Sequence, residues 1–575
     1  MFASIKLQRL VGLAVCLTMV VTLVSACGPA PTPTPTTPPA AATKPPAPTP
    51  VPPTPTPAGP KLAKEQVIRL PMSRLTGSID PSLTFGQGSE WVPNLFDALT
   101  RIDPTTGKVL PLAAEKWEVS ADGNTWTFTL KQGMTWSDGK PVTARDFVYA
   151  ALRRLDPKNK APLASDLFML RGAQPYNAGE VTDPATVGVK AVDERTVQYT
   201  LVCPRADFPR VVAAGEGFLP LPQWAIEKHG DKWMEPGNIV VNGPYTISVH
   251  KPDQVIELTR NEAYKGKKPT IEKAIYVLFE KYKQQSLLAF EAGDVDIAWI
   301  PGTDLERVTK DAKLSKMLVE FPVAHTANLI FDTSNKPFDD VRVRRAFSLA
   351  VDREKLNNIV LKKQFAPAYT AVPELVEGYA PSLALKYDPE EAKKLLAEAG
   401  YPGGKGMREI ELTARPTEEI RPILEAVQAM WQETLGVKVK VNLMEEKAFR
   451  AWFANIKEKK EHYDIQGTRS FTINSASGSD WFNVIFHPKA DYYTSRWENA
   501  AFADLIDKAQ CEKDATQRAK MYQEAEAMLL ADMPVIPLYH TVARWVIPPY
   551  IKGIVLPIEA GGTTIDLRDL YIEAH

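Results

Sequence analysis

Apolar and polar positions alternate between Trp126 and Leu130, where threonines separate three large apolar residues. This period of two is typical of a half-buried β-strand. Asp122-Gly123, before the strand, and Asp138-Gly139, after it, tolerate the positive φ angles of a tight turn. The pattern therefore predicts one β-hairpin around the first turn and another around the second.

From Phe147 to Leu155 the apolar positions recur at helical spacing instead. Thr143 supplies a side-chain oxygen at the N-cap, and Asp146 lies three residues later, near the positive end of the helix dipole. Asp156-Pro157 ends the run, because a residue before proline avoids the helical conformation. The sequence predicts an α-helix over 144–155.

Strand and helix patterns interleave through the rest of the chain, which is typical of an α/β protein. Strands are predicted within 66–72, 187–201, 240–250, 255–260, 271–279, 295–299, 325–331, 408–414, 437–444 and 534–540. Helices are predicted at 92–99, 223–230, 284–291, 341–351, 389–399, 422–434, 501–510 and 515–533.

The composition indicates a globular protein with more than one core. The chain has 575 residues, of which 44% are hydrophobic and 24% charged, so size alone predicts two or three domains. The formal net charge of -1 provides no long-range field that would attract a nucleic acid. No nucleic-acid partner is expected.

The N-terminus resembles a bacterial lipoprotein signal. Lys6 and Arg9 precede an apolar run over 10–24 that is short for a transmembrane helix, and the run leads into Cys27. The resemblance implies that residues 1–26 are a signal peptide, that Cys27 carries a lipid, and that the body is extracytoplasmic and anchored to a membrane of the cell envelope.

Residues 27–60 consist almost entirely of Pro, Thr and Ala. Such a composition cannot form a hydrophobic core and favours extended polyproline II structure. The segment is expected to be a disordered tether. Beyond it, Cys203 and Cys511 are the remaining cysteines, and the sequence leaves open whether they pair or stay as free thiols.

The common catalytic motifs are absent. The chain has no phosphate-binding loop, dinucleotide fingerprint, nucleophile elbow or zinc-binding helix motif. Its seven histidines are dispersed, with no pair at a spacing that would place two metal ligands on one helix face. No enzyme activity, cofactor or metal site is expected, although a pair of catalytic carboxylates would leave no signal in the spacing.

The region 117–157 resembles the signature of the bacterial solute-binding proteins of the peptide and nickel class, family five. The resemblance continues in 242–247, 258–264, 290–301, 331–354, 388–404 and 532–540, and is strongest toward periplasmic oligopeptide-binding proteins. It implies an α/β, two-lobed periplasmic-binding-protein type II fold with an additional small domain and a hinge between the lobes. It also implies a monomer that delivers its ligand to the permease of an ABC transporter.

The family pattern also implies the domain boundaries. Lobe I is expected to take 61–96, 209–322 and 541–575, the additional domain 97–208, and lobe II 323–540. Tyr149 and Trp299 fall where the family's side chains face the ligand, and for each the alternative is a packed core aromatic. Trp136 is expected to lie in the core.

One position departs from the family pattern. Oligopeptide-binding proteins carry a tryptophan and then an aspartate after a Tyr-Asp pair, and the aspartate holds the α-amino group of the ligand. After Tyr463-Asp464, the corresponding positions here are Ser470 and Ile473. The missing carboxylate leaves recognition of an ordinary peptide N-terminus open.

Several nearby side chains are candidates to replace it. Asp480 supplies a carboxylate with Trp481 as its aromatic neighbour, whereas Arg469 would meet an anionic group on a different ligand. Asn474 and Glu446 are the other candidates.

Three functions compete at this stage. The leading hypothesis is a substrate-binding protein that captures peptides, with oligopeptides favoured. The same scaffold could instead bind another small polar solute such as an oligosaccharide or a metal chelate. A secreted hydrolase that uses carboxylates and a surface receptor without transport are the alternatives.

Overall fold

The computed structural model describes residues 61–75, 78–83, 91–103, 106–415, 420–472 (backbone only for 468–472), 477–488, 490, 494–554 and 565–575. The expected signal peptide, Cys27 and the tether over 27–60 lie outside these residues. No helix among the described residues is both long enough and apolar enough to cross a lipid bilayer.

Strands and helices alternate along the chain. The strands are β1 Val67–Ser73, β2 Thr100–Ile102, β3 Val109–Pro111, β4 Ala114–Val119, β5 Thr125–Leu130, β6 Val189–Ala191, β7 Thr196–Thr200, β8 Tyr245–Lys251, β9 Val255–Arg260, β10 Lys273–Phe279, β11 Ala298–Trp299, β12 Leu318–Phe331, β13 Ala366–Pro367, β14 Ile410–Ala414, β15 Val439–Leu443, β16 Ile465–Thr472, β17 Val535–Val546, β18 Ile551–Lys552 and β19 Tyr571–Ile572. The α-helices are α1 Ala144–Leu155, α2 Ala173–Asn177, α3 Phe208–Ala214, α4 Gln223–His229, α5 Tyr282–Ala292, α6 Leu305–Lys310, α7 Val341–Leu349, α8 Arg353–Lys355, α9 Pro389–Glu398, α10 Ile420–Leu435, α11 Glu446–Lys457, α12 Gly478–Trp481, α13 Ala500–Ala509 and α14 Ala515–Asp532.

The hairpin and helix predicted at 117–157 are confirmed. β4 and β5 pair antiparallel around the Asp122-Gly123 turn, and α1 spans 144–155 as predicted. The Asp146 carboxylate accepts hydrogen bonds from the Thr143 backbone N–H at 2.7 Å and from the Trp136 indole N–H at 3.1 Å. Trp136 is fully buried, as expected. The Asp138-Gly139 turn also forms, but its hairpin is reduced to one isolated bridge.

The helix predicted at 92–99 is wrong. Only Val92–Asn94 form a helical turn, of the 3-10 type. The carbonyl of Leu95 accepts the N–H of Gly243, and the carbonyl of Leu99 accepts the N–H groups of Leu112 and Ala114. In an α-helix over 92–99 the Leu95 carbonyl would accept the N–H of Leu99, so its bond to Gly243 competes with the helical ladder, while Leu99 leads directly into β2.

Three sheets carry most of the strands. The first has the order β1-β10-β9-β8 and the second, antiparallel throughout, the order β4-β5-β7-β6. The third and largest has the order β11-β17-β12-β16-β14-β15, with β13 also paired to β17.

The buried apolar residues divide into two groups along the chain. One large cluster draws on residues from Ile68 to Val323 and again from Ala543 to Ile572. Two further clusters draw only on residues between Ala324 and Tyr539. We call residues 61–323 and 543–575 the first half and residues 324–539 the second half. The polypeptide passes between the halves twice, along β12 and β17.

A disulfide joins Cys203, in the first half, to Cys511, in the second. Their Cα atoms are 5.4 Å apart, although 308 positions separate the residues in sequence. The sequence did not decide between a disulfide and two free thiols. In the structure the two cysteines form a disulfide.

Candidate functional site

The two strands that cross between the halves carry a reciprocal pair of histidines and threonines. β12 and β17 are antiparallel, with Thr326 opposite His540. The Thr326 hydroxyl lies 2.9 Å from Nδ1 of His540, and the Thr541 hydroxyl is hydrogen-bonded to Nδ1 of His325. We call these four residues the crossing-strand site. Their hydrogen bonds fix the orientation of both imidazole rings where the halves meet.

Both histidines are neutral at physiological pH. Burial, with smaller contributions from Lys283 and His540, lowers the pKa of His325 to about 3. Burial likewise lowers the pKa of His540 to about 4. Because each Nδ1 is engaged by a threonine, Nε2 is the remaining hydrogen-bonding atom of each ring. The site therefore offers uncharged polar groups to a ligand.

Trp299 lies beside the crossing strands, in the core of the first half. Its side chain is 2% exposed, and its ring packs edge-on against Trp545 with centroids 5.7 Å apart. The Lys283 ammonium lies 4.6 Å from the Trp299 ring centroid. Trp299 therefore packs as a core aromatic residue. Its contact with a ligand stays a prediction.

Arg205 links the two halves through carboxylates. Its guanidinium lies 2.8 Å from Asp207 in the first half and 2.9 Å from Asp480 in the second. The Ser477 hydroxyl donates to Asp207 at 2.9 Å. Although burial acts in the opposite direction, Arg205 and Ser477 hold the pKa of Asp207 below its usual range. Asp480, a candidate for the missing ligand anchor, is thus an ion-pair partner of Arg205.

Asp166 is a charged side chain near this cluster that the sequence did not indicate. It lies on the 3-10 turn Ala164–Leu167, with its carboxylate 3.6 Å from the buried Arg154 guanidinium, and its side chain is 40% exposed. Partial desolvation by the surrounding protein, offset by Arg154 and reinforced by Asp480, raises the pKa of Asp166 above its usual range. No motif surrounds it, so only the folded structure brings it toward Asp480.

One edge of β16 is unpaired over its last residues. β16 pairs with β12 from Ile465 to Thr472, but it pairs with β14 only at Ile465 and Gln466. Among the described strands, none pairs with residues 467–472 on the β14 side. An edge of this kind presents backbone N–H and C=O groups to an added strand. It lies directly beside the β12 segment that carries His325.

The remaining candidates lie at other places. Tyr149 lines a cavity of about 450 Å³ together with Leu152, Tyr176, Ile226 and Asp231, all of the first half. Glu446, at the start of α11, forms a surface ion pair with Arg450 at 2.7 Å. Trp481 is fully buried in a core cluster of the second half. The Arg469 side chain and Asn474 lie outside the described residues, so their roles stay predictions.

No group of three or more His, Cys, Asp or Glu side chains within the described ranges is arranged to hold a metal ion. The crossing-strand site supplies hydrogen-bonding groups, and the Arg205 cluster, formed by Arg205, Asp207 and Asp480, supplies ionic groups. Both kinds of group suit the binding of a polar ligand.

The family model of the bacterial extracellular solute-binding proteins, family 5, matches residues 108–493. The chain belongs to this family. Its fold is the two-lobed type II fold of the periplasmic binding proteins, as the sequence predicted. Its homologues are substrate-binding proteins, and they include peptide-binding proteins of ABC importers.

Two curated relatives differ in what their names say they bind. The chain is 31% identical over 493 residues to the oligopeptide-binding protein OppA of Bacillus subtilis, covering 83% of this chain and 87% of that protein. It is 30% identical over 530 residues to the probable deoxycholate-binding periplasmic protein YgiS of Escherichia coli, covering 90% of this chain and 96% of that protein.

A solved structure of the murein tripeptide-binding protein MppA, in an unliganded open form, superposes with a TM-score of 0.72. The two sequences are 27% identical, and the match covers 90% of this chain and 99% of that one.

Proposed function

We propose that this protein is the lipid-anchored, extracytoplasmic substrate-binding protein of an ABC importer, and that it captures peptides between its two lobes and delivers them to the permease. The observation that carries the proposal is the unpaired edge of β16. An extended peptide pairs with such an edge through its own backbone, and backbone pairing tolerates many peptide sequences. Of the two neutral histidines of the crossing-strand site, His325 lies on the neighbouring strand β12 and His540 lies one strand further away, on β17.

The same scaffold with a non-peptide solute is the second candidate. It is favoured by the loss of the family's anchoring aspartate, whose position is Ile473 here. The name of the YgiS relative also points to a carboxylated, non-peptide ligand for that protein. A hydrolase is the least favoured alternative, because the homologues are substrate-binding proteins.

Native mass spectrometry of the protein as purified tests the ligand class. A ladder of mixed peptides released on denaturation supports the oligopeptide function. A single non-peptide species overturns it in favour of the second candidate.

Substitution at the crossing-strand site tests where the ligand binds. We expect His540→Ala to weaken binding about tenfold, the loss of roughly one net hydrogen bond. His575→Ala, at an exposed position of the last residue, is the matched control. Ligand-induced increases in melting temperature report both affinities, since a ligand bound only to the folded state stabilises it. Equal shifts for wild type and His540→Ala would place the ligand elsewhere.

The lipid anchor rests on Cys27. We expect Cys27→Ser to abolish incorporation of labelled fatty acid and to release the protein from the membrane fraction. Retention of the variant in the membrane would count against a lipid at this position.

We propose that lobe I consists of 61–96, 209–322 and 541–575, the additional domain of 97–208, and lobe II of 323–540. The separation of the buried clusters near residues 323 and 540 supports the division between the lobes.

A further inference from the structure

The disulfide between Cys203 and Cys511 is part of a larger contact between the halves. Two residues from Cys203, Arg205 reaches Asp480 of the second half at 2.9 Å. Two residues from Cys511, Lys513 donates to the carbonyl of Ala121 in the first half at 3.5 Å. We call the disulfide with these two polar contacts the interlobe bridge. It joins the β4–β5 turn and the end of β7 to the segments around α12 and α13.

The bridge adds a third connection to the two that the polypeptide makes. β12 and β17 run side by side as neighbouring strands, so together they form one hinge line between the halves. A body held along a single line can rotate about it. A covalent attachment away from that line removes the rotation, and no residue of the interlobe bridge belongs to β12 or β17.

Opening matters because a ligand enclosed between lobes exchanges only when they separate. A relative with this fold is known in an unliganded open form. We propose that the interlobe bridge is a redox-controlled closure device: while the disulfide is intact the halves stay closed along this side, and reduction of the bond frees the hinge.

The chemistry of release is ordinary thiol–disulfide exchange with a dithiol reductant. A thiolate of the reductant attacks one sulfur of the pair, forms a mixed disulfide and displaces the other cysteine. The second thiol of the reductant then displaces the remaining cysteine. Two electrons and two protons pass to Cys203 and Cys511, and the reductant leaves as its own disulfide. Both cysteines are half-buried rather than fully buried, so a reductant can approach them.

After reduction, the Arg205–Asp480 pair is the main remaining polar contact of the bridge. Unlike the covalent bond, this largely buried ion pair can break and re-form as the halves move. Reduction therefore converts a permanent closure into one that opens and shuts.

The experiment measures the distance between the halves without any ligand. Non-thiol fluorophores are placed at Lys190 on β6 and at Lys393 on α9, both exposed and one in each half. Energy transfer is compared in oxidised wild type, in wild type reduced by a dithiol, and in a Cys203→Ser/Cys511→Ser double variant.

We expect one narrow distance distribution for the oxidised protein, and an added population at longer distance for the reduced protein and the double variant. Re-oxidation of the reduced wild type should restore the narrow distribution, which distinguishes opening from unfolding. Equal distributions in all three samples would overturn the proposal. The bond would then lie on the hinge axis and act only by restricting the unfolded chain.

A kinetic measurement extends the test and rests on the proposed function. A fluorescent peptide is loaded onto reduced wild type before re-oxidation and onto the double variant, and we expect it to dissociate at least tenfold faster from the double variant than from the re-oxidised wild type. If no peptide binds either protein, the proposed function fails, while the distance measurement still decides the closure device.

Discussion

Arg205 and Asp480 form an ion pair of 2.9 Å across the boundary between the two halves, and the same guanidinium holds Asp207 at 2.8 Å. The Arg205 side chain is only 7% exposed, so its charge depends on both carboxylates for compensation. Removing it leaves two carboxylates close together and takes away their nearest cation, since Arg518, which also acts on Asp207, is already paired with Glu377.

We therefore expect Arg205→Met to lower the free energy of unfolding by about 3 kcal/mol, as for a broken buried ion pair. Urea unfolding of both proteins provides the measurement. Arg421→Met is the control, because its pair with Glu425 is exposed on α10, and such pairs contribute about 0.5 kcal/mol or less. Similar losses for the two variants would mean that the Arg205 cluster is as weak as a surface pair.

Gly123 tests the turn that contacts the second half. Its φ is +82°, and a Cβ there would meet Pro204 and Lys513 atoms at 2.9 Å. Gly139 has a similar φ of +87° but open space around it. We expect Gly139→Ala to lower the free energy of unfolding by about 1 kcal/mol, because alanine is strained at a positive φ. We expect Gly123→Ala to lower it by about 2 kcal/mol, because the added Cβ also collides with its neighbours. Thermal unfolding gives the difference; equal effects would show that Pro204 and Lys513 move aside at little cost.

Glu526 makes stability depend on pH. It is fully buried in α14 and accepts a hydrogen bond from the Val372 N–H at 2.9 Å. Burial, opposed by backbone hydrogen bonds, raises the pKa of Glu526 to about 8 from an ordinary value of 4.5. The folded state therefore binds the proton more tightly than the unfolded state, so this group's contribution is present below pH 4.5 and is lost as the pH rises toward 8.

We expect the wild type to lose more stability than Glu526→Gln between about pH 5 and pH 8, because glutamine keeps the shape without a titrating proton. Chemical unfolding at several pH values measures the difference between the two proteins. If the free energy of unfolding of the two proteins changed with pH in parallel, the Glu526 carboxyl would ionise at its ordinary pKa.

The crossing-strand histidines give the opposite dependence. The pKa of His540 lies near 4 in the folded protein, below its ordinary value of 6.5, so folding disfavours the bound proton. Its contribution is present above pH 6.5 and is lost as the pH falls toward 4. We expect His540→Asn to lose less stability than the wild type on acidification from pH 7 to pH 4. His575→Asn, exposed at the C-terminus, should follow the wild type. If the wild type and His540→Asn lost the same stability on acidification, His540 would have an ordinary pKa in the folded protein.

Local patterns predicted most of the long helices. The helices predicted between 284 and 533 begin and end within two residues of α5, α7, α9, α10, α13 and α14. Their apolar stripes face a core, so periodicity and packing agree. At 92–99 periodicity and packing disagree, because the N–H of Gly243 takes the Leu95 carbonyl that the helical ladder would use.

The candidate site was predicted less completely. β16 was missed because Gly467 and several polar residues interrupt its apolar alternation. Asp166 was missed because no motif surrounds it and because Asp480, which acts on it in the folded protein, is distant in sequence. The sequence offered Asp480 as a candidate, but it could not show that Arg205, 275 positions away, pairs with it.

The first half is completed only by the end of the chain. Asn94 bonds to the backbone of Ile565 and Leu567, and Gln66 bonds to the backbone of Ile572. The second half, in contrast, is one continuous segment. During synthesis, residues 324–539 can assemble their core as soon as they emerge, whereas the residues made first must wait for the residues made last. Pulsed hydrogen exchange should therefore find amide protection in β14 before it appears in β1. A chain truncated before residue 543 should keep a folded second half, while its first half stays sensitive to proteolysis.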